Sequence, residues 1–179
     1  MSNYDTFILY AAEYSTLADA EADYEAVKAL YYELGLVDTF DAAVIERQTD
    51  GTVKIVKKHE QPTRKGGWVG AGLGLAAGAT LLLFPAAAIG AGVLVGATGG
   101  GAALGALAGH VARGISRHDL KELGESLDAG TAGLIVVAAV DVEKRINEVI
   151  KLSNKIVKKE VKADRKELEK ELKEAEKEG

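Results

Sequence analysis

The 179-residue sequence predicts an α+β fold: a small mixed domain, an apolar glycine-rich insertion within it, and a charged helix at the end. Three observations carry that expectation. Short apolar, β-branched runs alternate with segments of helical periodicity. Fourteen of the 21 glycines fall between Gly66 and Gly109, inside a 47-residue stretch with no formal charge bounded by Lys65 and Arg113. From Asp141 onward Glu, Lys, Leu and Ile dominate and proline is absent.

Residues 6–14 (TFILYAAEY) open with aromatic and β-branched side chains and predict a buried strand. Ser15 stands where a helix cap belongs; Leu17, Tyr24, Val27, Leu30, Tyr31 and Leu34 recur at helical spacing, and Gly35 supplies the stop. Residues 40–48 and 53–60 flank Asp50-Gly51, a strong hairpin signal. Within residues 53–58, Val, Ile and Val alternate with Lys, which marks a strand with one solvated face. After the glycine block, Ser116 and Asp119 form an S-x-x-D helix start, Leu120, Leu123 and Leu127 make an apolar stripe, and Gly130 ends the helix. Residues 132–140 (AGLIVVAAV) have the near-continuous apolar character of a central strand. The remainder predicts one long helix of up to roughly nine or ten turns. Without the glycine block the order is β-α-β-β-α-β, the ferredoxin-like split arrangement. The expected organisation is a head of residues 1–65 and 114–141, an apolar helical hairpin at 66–113, and a charged helix at 142–179. The insertion occupies a connection, so the core of the head is expected not to depend on it.

Gly66, Gly70, Gly74 and Gly78 repeat every four residues, as do Gly92, Gly96 and Gly100, and then Gly101, Gly105 and Gly109. On a helix each run makes a groove free of side chains, the small-xxx-small surface through which membrane helices approach one another. In water such glycines cost about 1 kcal/mol each relative to Ala, so packing or lipid is needed to hold them helical. Pro85 divides the block into arms of 19 and 24 residues, near the ~20 that span a hydrocarbon core. Arg64 and Lys65 before it, and Arg113 and Arg117 after it, put both ends on the cytoplasmic side, with Trp68 as an interfacial anchor. The tip, with Leu81, Leu82, Leu83, Phe84, Pro85 and Ile89, contains no polar turn, so it belongs in lipid or in protein. A hairpin that enters from one leaflet, or that neighbours seal, fits this better than a two-pass anchor.

Other chemistries find little purchase. Zero cysteine excludes disulfide scaffolds, thiolate metal sites and thiol catalysis. A net charge of −5 gives no reason to expect nucleic acid. The opening residues read as structure, which argues against a secretory leader. Gly70, Gly72 and Gly74 lack the G-x-G-x-x-G spacing and no G-K-[ST] follows, so phosphate binding is not indicated. His59, His110 and His118 lie apart, and His118 with Asp119 and Glu122 reads as capping and solvation rather than a metal site. Tyr10, Tyr14, Tyr24, Tyr31 and Tyr32 suit core or dimer packing. The basic stretch from Lys144 to Lys166, interleaved with Ile and Val, is a candidate for contact with an anionic membrane surface if helical.

The run RKGGWVGAGLGLAAGATLLLFPAAAIGAG, set inside an α+β frame, resembles the bacterial domain-of-unknown-function 1269 family over about residues 4–140. That resemblance implies predicted membrane or general-stress-like proteins, a ferredoxin-like head with an inserted glycine-zipper hairpin, and an envelope or stress context. No catalytic residue comes with it. The expectation is therefore a non-enzymatic, membrane-associated protein on the cytoplasmic side of the inner membrane, without cofactor, metal, nucleic acid or small-molecule substrate. Its partners are lipid and further copies of itself. The alternative is a cytoplasmic homo-oligomeric scaffold or shell that buries the hairpins in its interior.

Overall fold

The computed structural model describes residues 4–37, 40–49, 53–58, 76, 80, 83, 88–89, 113–128, 131–164, 170 and 174. Among them the chain forms β1 (Tyr4–Tyr14), α1 (Leu17–Glu33), β2 (Asp41–Arg47), β3 (Val53–Lys58), β4 (Ala88–Ile89), α2 (Arg117–Asp128), β5 (Ala132–Ala139), a 3-10 turn at Val140–Val142, α3 (Glu143–Val149) and β6 (Lys155–Asp164). The α+β class follows. One sheet has the order β4-β3-β2-β5-β1-β6, antiparallel throughout except for the short parallel β3–β4 pair. β5 separates β1 from β2, and β2 separates β3 from β5, so both β-α-β units are split. The splitting strands differ from the ferredoxin-like order, in which the first and third strands are central. Here the centre is β2 and β5.

Period-two alternation sorts side chains to two faces. Tyr10, Ala12 and Tyr14 of β1, with Leu134 and Val136 of β5, meet α1 and α3 through Tyr24, Val27, Leu30, Tyr31 and Ile146. Phe40 sits between two tyrosine rings there, 5.4 Å from Tyr24 and 5.2 Å from Tyr31, in the tilted geometries aromatic quadrupoles favour. Leu9, Ala11, Ala43, Ile45, Ile55, Ile135 and Val137 point to the other face, under Leu123 and Leu127 of α2. The five-tyrosine cluster is thus mostly core; Tyr32 alone is exposed, at 54%.

The local signals hold with one shift of position. Thr16, not Ser15, caps α1, its hydroxyl accepting from the Asp19 N–H at 3.2 Å. Ser15 Oγ instead accepts from Asn154 Nδ2 at 2.7 Å. Gly35 ends the helix with φ +68°, a value that strains any side-chain-bearing residue. Ser116 Oγ accepts from the Asp119 N–H at 3.1 Å, as the S-x-x-D start predicts. β2 and β3 pair as expected, with a bulge between Val44 and Ile45; the Asp50-Gly51 turn lies outside the described residues.

Two expectations are corrected. The single long C-terminal helix does not form: α3 covers only Glu143–Val149, and β6 then pairs with β1 along Tyr4–Glu13. β1 offers an unpaired row of backbone donors and acceptors, and Ile156, Val157 and Val161 are β-branched residues suited to fill it. The break is held by polar bonds to the head, since Asn154 N–H donates to the Glu13 carbonyl at 2.8 Å. Lys170 and Glu174 are helical and 3.9 Å apart, as i,i+4 pairing expects. The second correction concerns independence of the insertion. Ala76, 1% exposed, belongs to the core cluster under α2, and Leu83 packs against it.

Candidate functional site

β2 begins with a carboxylate in an otherwise apolar run, Asp41-Ala-Ala-Val-Ile. Asp41 shares parity with Ala43 and Ile45, so it lies on the α2 face of the sheet. It is 3% exposed, and its Oδ1 accepts from the Ala76 backbone N–H at 3.2 Å. Ala76, Thr80 and Leu83 are each helical. Thr80 is fully buried, and its hydroxyl donates to the Ala76 carbonyl at 2.8 Å, so its polar group is satisfied within its own helical turn. Leu83 reaches α2: its Cδ2 lies 4.0 Å from where a Cβ on Gly124 would stand. Ala88 and Ile89 then pair with Lys54 and Ile55 as the edge strand β4. The uncharged stretch is thereby joined to the head at Ala76 and Leu83 and again at 88–89.

Two further polar clusters tie the head together. Asp23 is 3% exposed, and its Oδ2 accepts from the Tyr14 hydroxyl at 3.0 Å, the Lys151 N–H at 3.1 Å and the Leu152 N–H at 2.9 Å. One carboxylate so joins α1, β1 and the α3–β6 connection. Burial, and then the Asp23 charge, push the Tyr14 hydroxyl far above the ordinary phenol range. On the other face Lys159 of β6 lies 2.6 Å from Glu122 and 3.3 Å from Asp119 of α2. Hydrogen bonding to Lys159 lowers the Glu122 pKa, and the Glu122 bond raises that of Lys159. The Asp119 pKa is lowered mainly by its bond with Ser116 and further by Lys159. These groups are consumed in holding elements together. Among the described residues no group of three His, Cys, Asp or Glu side chains converges as a metal ion needs.

Of the residues singled out in the sequence, Leu83 lies half-buried at the seat and Ile89 lies in β4. Arg113 is exposed one turn before α2, and Arg117, also exposed, is its first residue. Gly66, Gly70, Gly74, Gly78, Gly92, Gly96, Gly100, Gly101, Gly105 and Gly109 lie outside the described residues, as do Leu81, Leu82, Phe84, Pro85, Arg64, Lys65 and Trp68. Among the described residues no helix is long and apolar enough to cross a membrane. Sequence reasoning passed over Asp23, Asp41 and Thr80. Each carried a signal. Asp23 falls on the stripe of Ala20, Tyr24 and Val27, Asp41 opens an apolar strand, and Thr80 interrupts an uncharged, apolar arm. Comparison with protein-family models, curated proteins and solved structures returns no match to this chain.

Proposed function

We propose that the protein is a non-enzymatic, membrane-associated protein whose glycine-rich segment contacts lipid and further copies of itself, with the α+β head on the cytoplasmic face of the inner membrane. The observation that carries the reading is the run of 47 uncharged residues framed by Arg64, Lys65, Arg113 and Arg117. A span of ordinary soluble sequence carries about one charge in four. The head adds support: β3 and α2, which flank the segment, pack on one sheet, so the segment must leave and return on the same side. Pairing of Ala88–Ile89 with β3 limits its reach as well. That favours entry into one leaflet over a crossing. The glycine repeats then serve as a zipper for helix packing, and the resemblance to the domain-of-unknown-function 1269 family suggests an envelope or stress setting.

A second reading has its own observation. Ala76 is buried in the core under α2 and Leu83 packs against that core, which favours a soluble homo-oligomer that hides the segment in protein. Ultracentrifugation of detergent-free extracts followed by carbonate washing separates the two. Membrane association requires that the protein pellet with membranes and resist carbonate. A discrete particle in the supernatant refutes it and favours the scaffold.

A further inference from the structure

We propose that the flank of the head formed by α3 and β6, through Lys144, Lys151, Lys155 and Lys162, is a docking surface for anionic phospholipid headgroups. This rests on the reading above that the protein lies at a membrane. From Lys144 to Lys162 the chain holds seven basic and two acidic residues. The fold lays that stretch out as α3 followed by β6, the last strand of the sheet. α3 runs back along β6: Glu143 bonds Lys158, whereas the Lys151 and Leu152 amides reach Asp23, which also holds Tyr14. Helix and strand thus share one flank. Three of the seven cations are engaged in ion pairs, Arg145 with Glu33 and Glu148, Lys158 with Glu143, and Lys159 with Asp119 and Glu122. Lys144, Lys151, Lys155 and Lys162 are exposed and make no ion pair among the described residues, against one such carboxylate in the stretch, Glu160. Two features favour lipid over a second copy of the strand. The Glu13 carbonyl accepts from Asn154 and the Tyr14 carbonyl from Thr131, so alternation along the β1–β6 ladder turns the Lys162 carbonyl outward. Gly114 stands against that carbonyl, where a Cβ would lie 2.2 Å from the oxygen, so another strand cannot pair there. A lysine row on an edge also discourages strand addition. Arg113 and Gly114 directly follow the uncharged segment, so the chain rejoins the head at this flank, and a membrane entered by the segment faces these lysines.

The test uses the full chain, with vesicles of phosphatidylcholine alone or mixed with phosphatidylglycerol, and co-sedimentation to measure partition. The wild type should partition more strongly onto the mixed vesicles, and the difference should shrink as salt screens the lysines. Lys155→Gln combined with Lys162→Gln should weaken that partition about 25-fold, about fivefold per lysine, while Lys155→Arg with Lys162→Arg stays within about twofold of wild type. Lys144→Gln with Lys151→Gln should weaken it similarly without touching the strand. Lys28→Gln with Lys54→Gln, on α1 and β3, makes the same change in net charge and should bind as the wild type does. Circular dichroism melts near wild type for the Gln pairs accompany the expected result. If all three Gln pairs weaken binding equally, net charge is responsible and the surface is wrong. If none does, the lysines only guard the sheet edge and the surface is wrong again. Equal partition of the wild type onto both kinds of vesicle overturns the surface and leaves the membrane reading standing. Absence of partition onto either kind overturns both.

Discussion

Gly114 passes so close to β6 that a single methyl group has nowhere to go. A Cβ built there stands 2.2 Å from the Lys162 carbonyl oxygen, 3.0 Å from Val161 Cγ1 and 3.2 Å from the Lys162 carbonyl carbon. The shortfall against ordinary contact with that oxygen is roughly 1 Å. A backbone carbonyl cannot rotate aside, and β6 is held on both sides, by its ladder with β1 and by Lys159 against α2. Gly114→Ala must therefore shift the strand or the chain entering α2, at a cost of about 2 kcal/mol, within the range for overpacked sites. In a chain of this size that lowers the melting temperature by about 4–8 °C. Gly133→Ala is the comparator. Its Cβ meets Ile45 Cγ1 and Leu127 Cδ2, each at 3.0 Å, and side-chain ends can yield. Circular dichroism melts of both variants, with hydrogen exchange across Val161 and Lys162, test the argument. A Gly114→Ala protein that melts within about 1 °C of wild type, with exchange unchanged, would refute the packing of β6 against residue 114.

The Asp23 cluster predicts a graded series. Tyr14→Phe removes one of three donors and should cost about 1–2 kcal/mol, whereas Asp23→Ala orphans the Lys151 and Leu152 amides and should cost about 3 kcal/mol, both read from urea midpoints. Equal costs would mean the backbone amides find other partners. Asp119 and Glu122 have lowered pKa values in the fold, so their contribution is present above the unfolded values of about 4 and is lost as pH falls through the folded ones. Lys159 is raised, so its share persists at neutral pH and disappears only as strongly alkaline pH deprotonates it. Lys159→Met should accordingly flatten the acid limb of the melting temperature against pH, and an unchanged limb would sink the assignment. Gly35→Ala, forced into a left-handed conformation at φ +68°, should lose about 1–2 kcal/mol by the same urea titration.

How far the fold was legible depends on how local its causes are. Gly35 as a helix stop and Ser116 as a cap act within a few residues, and the neighbouring sequence carries all they need. The apolar run of β5 predicted a central strand because burial on both faces leaves that imprint. Residues 155–164 were misread for the opposite reason. Lys, Glu and Val in that segment satisfy helical composition, and only the open edge of β1 makes pairing the better use of its backbone. The seat was equally hidden: Asp41 bonds Ala76 from 35 positions away and Leu83 meets α2 at Gly124, contacts that only three-dimensional packing makes.

The sequence by itself determined the α+β class, the order of elements through β5 apart from β4, the Gly35 stop, the Ser116 cap and the presence of an uncharged glycine-rich segment between Lys65 and Arg113. Those follow from periodicity, turn chemistry and charge, which are properties of a chain's near neighbours. Tertiary structure alone decided that β2 lies beside β5 at the centre, that residues 155–164 supply β6, and that Ala76 and Leu83 join the core under α2. Each of these turns on which surface another part of the chain leaves unpaired, a quantity no local pattern contains.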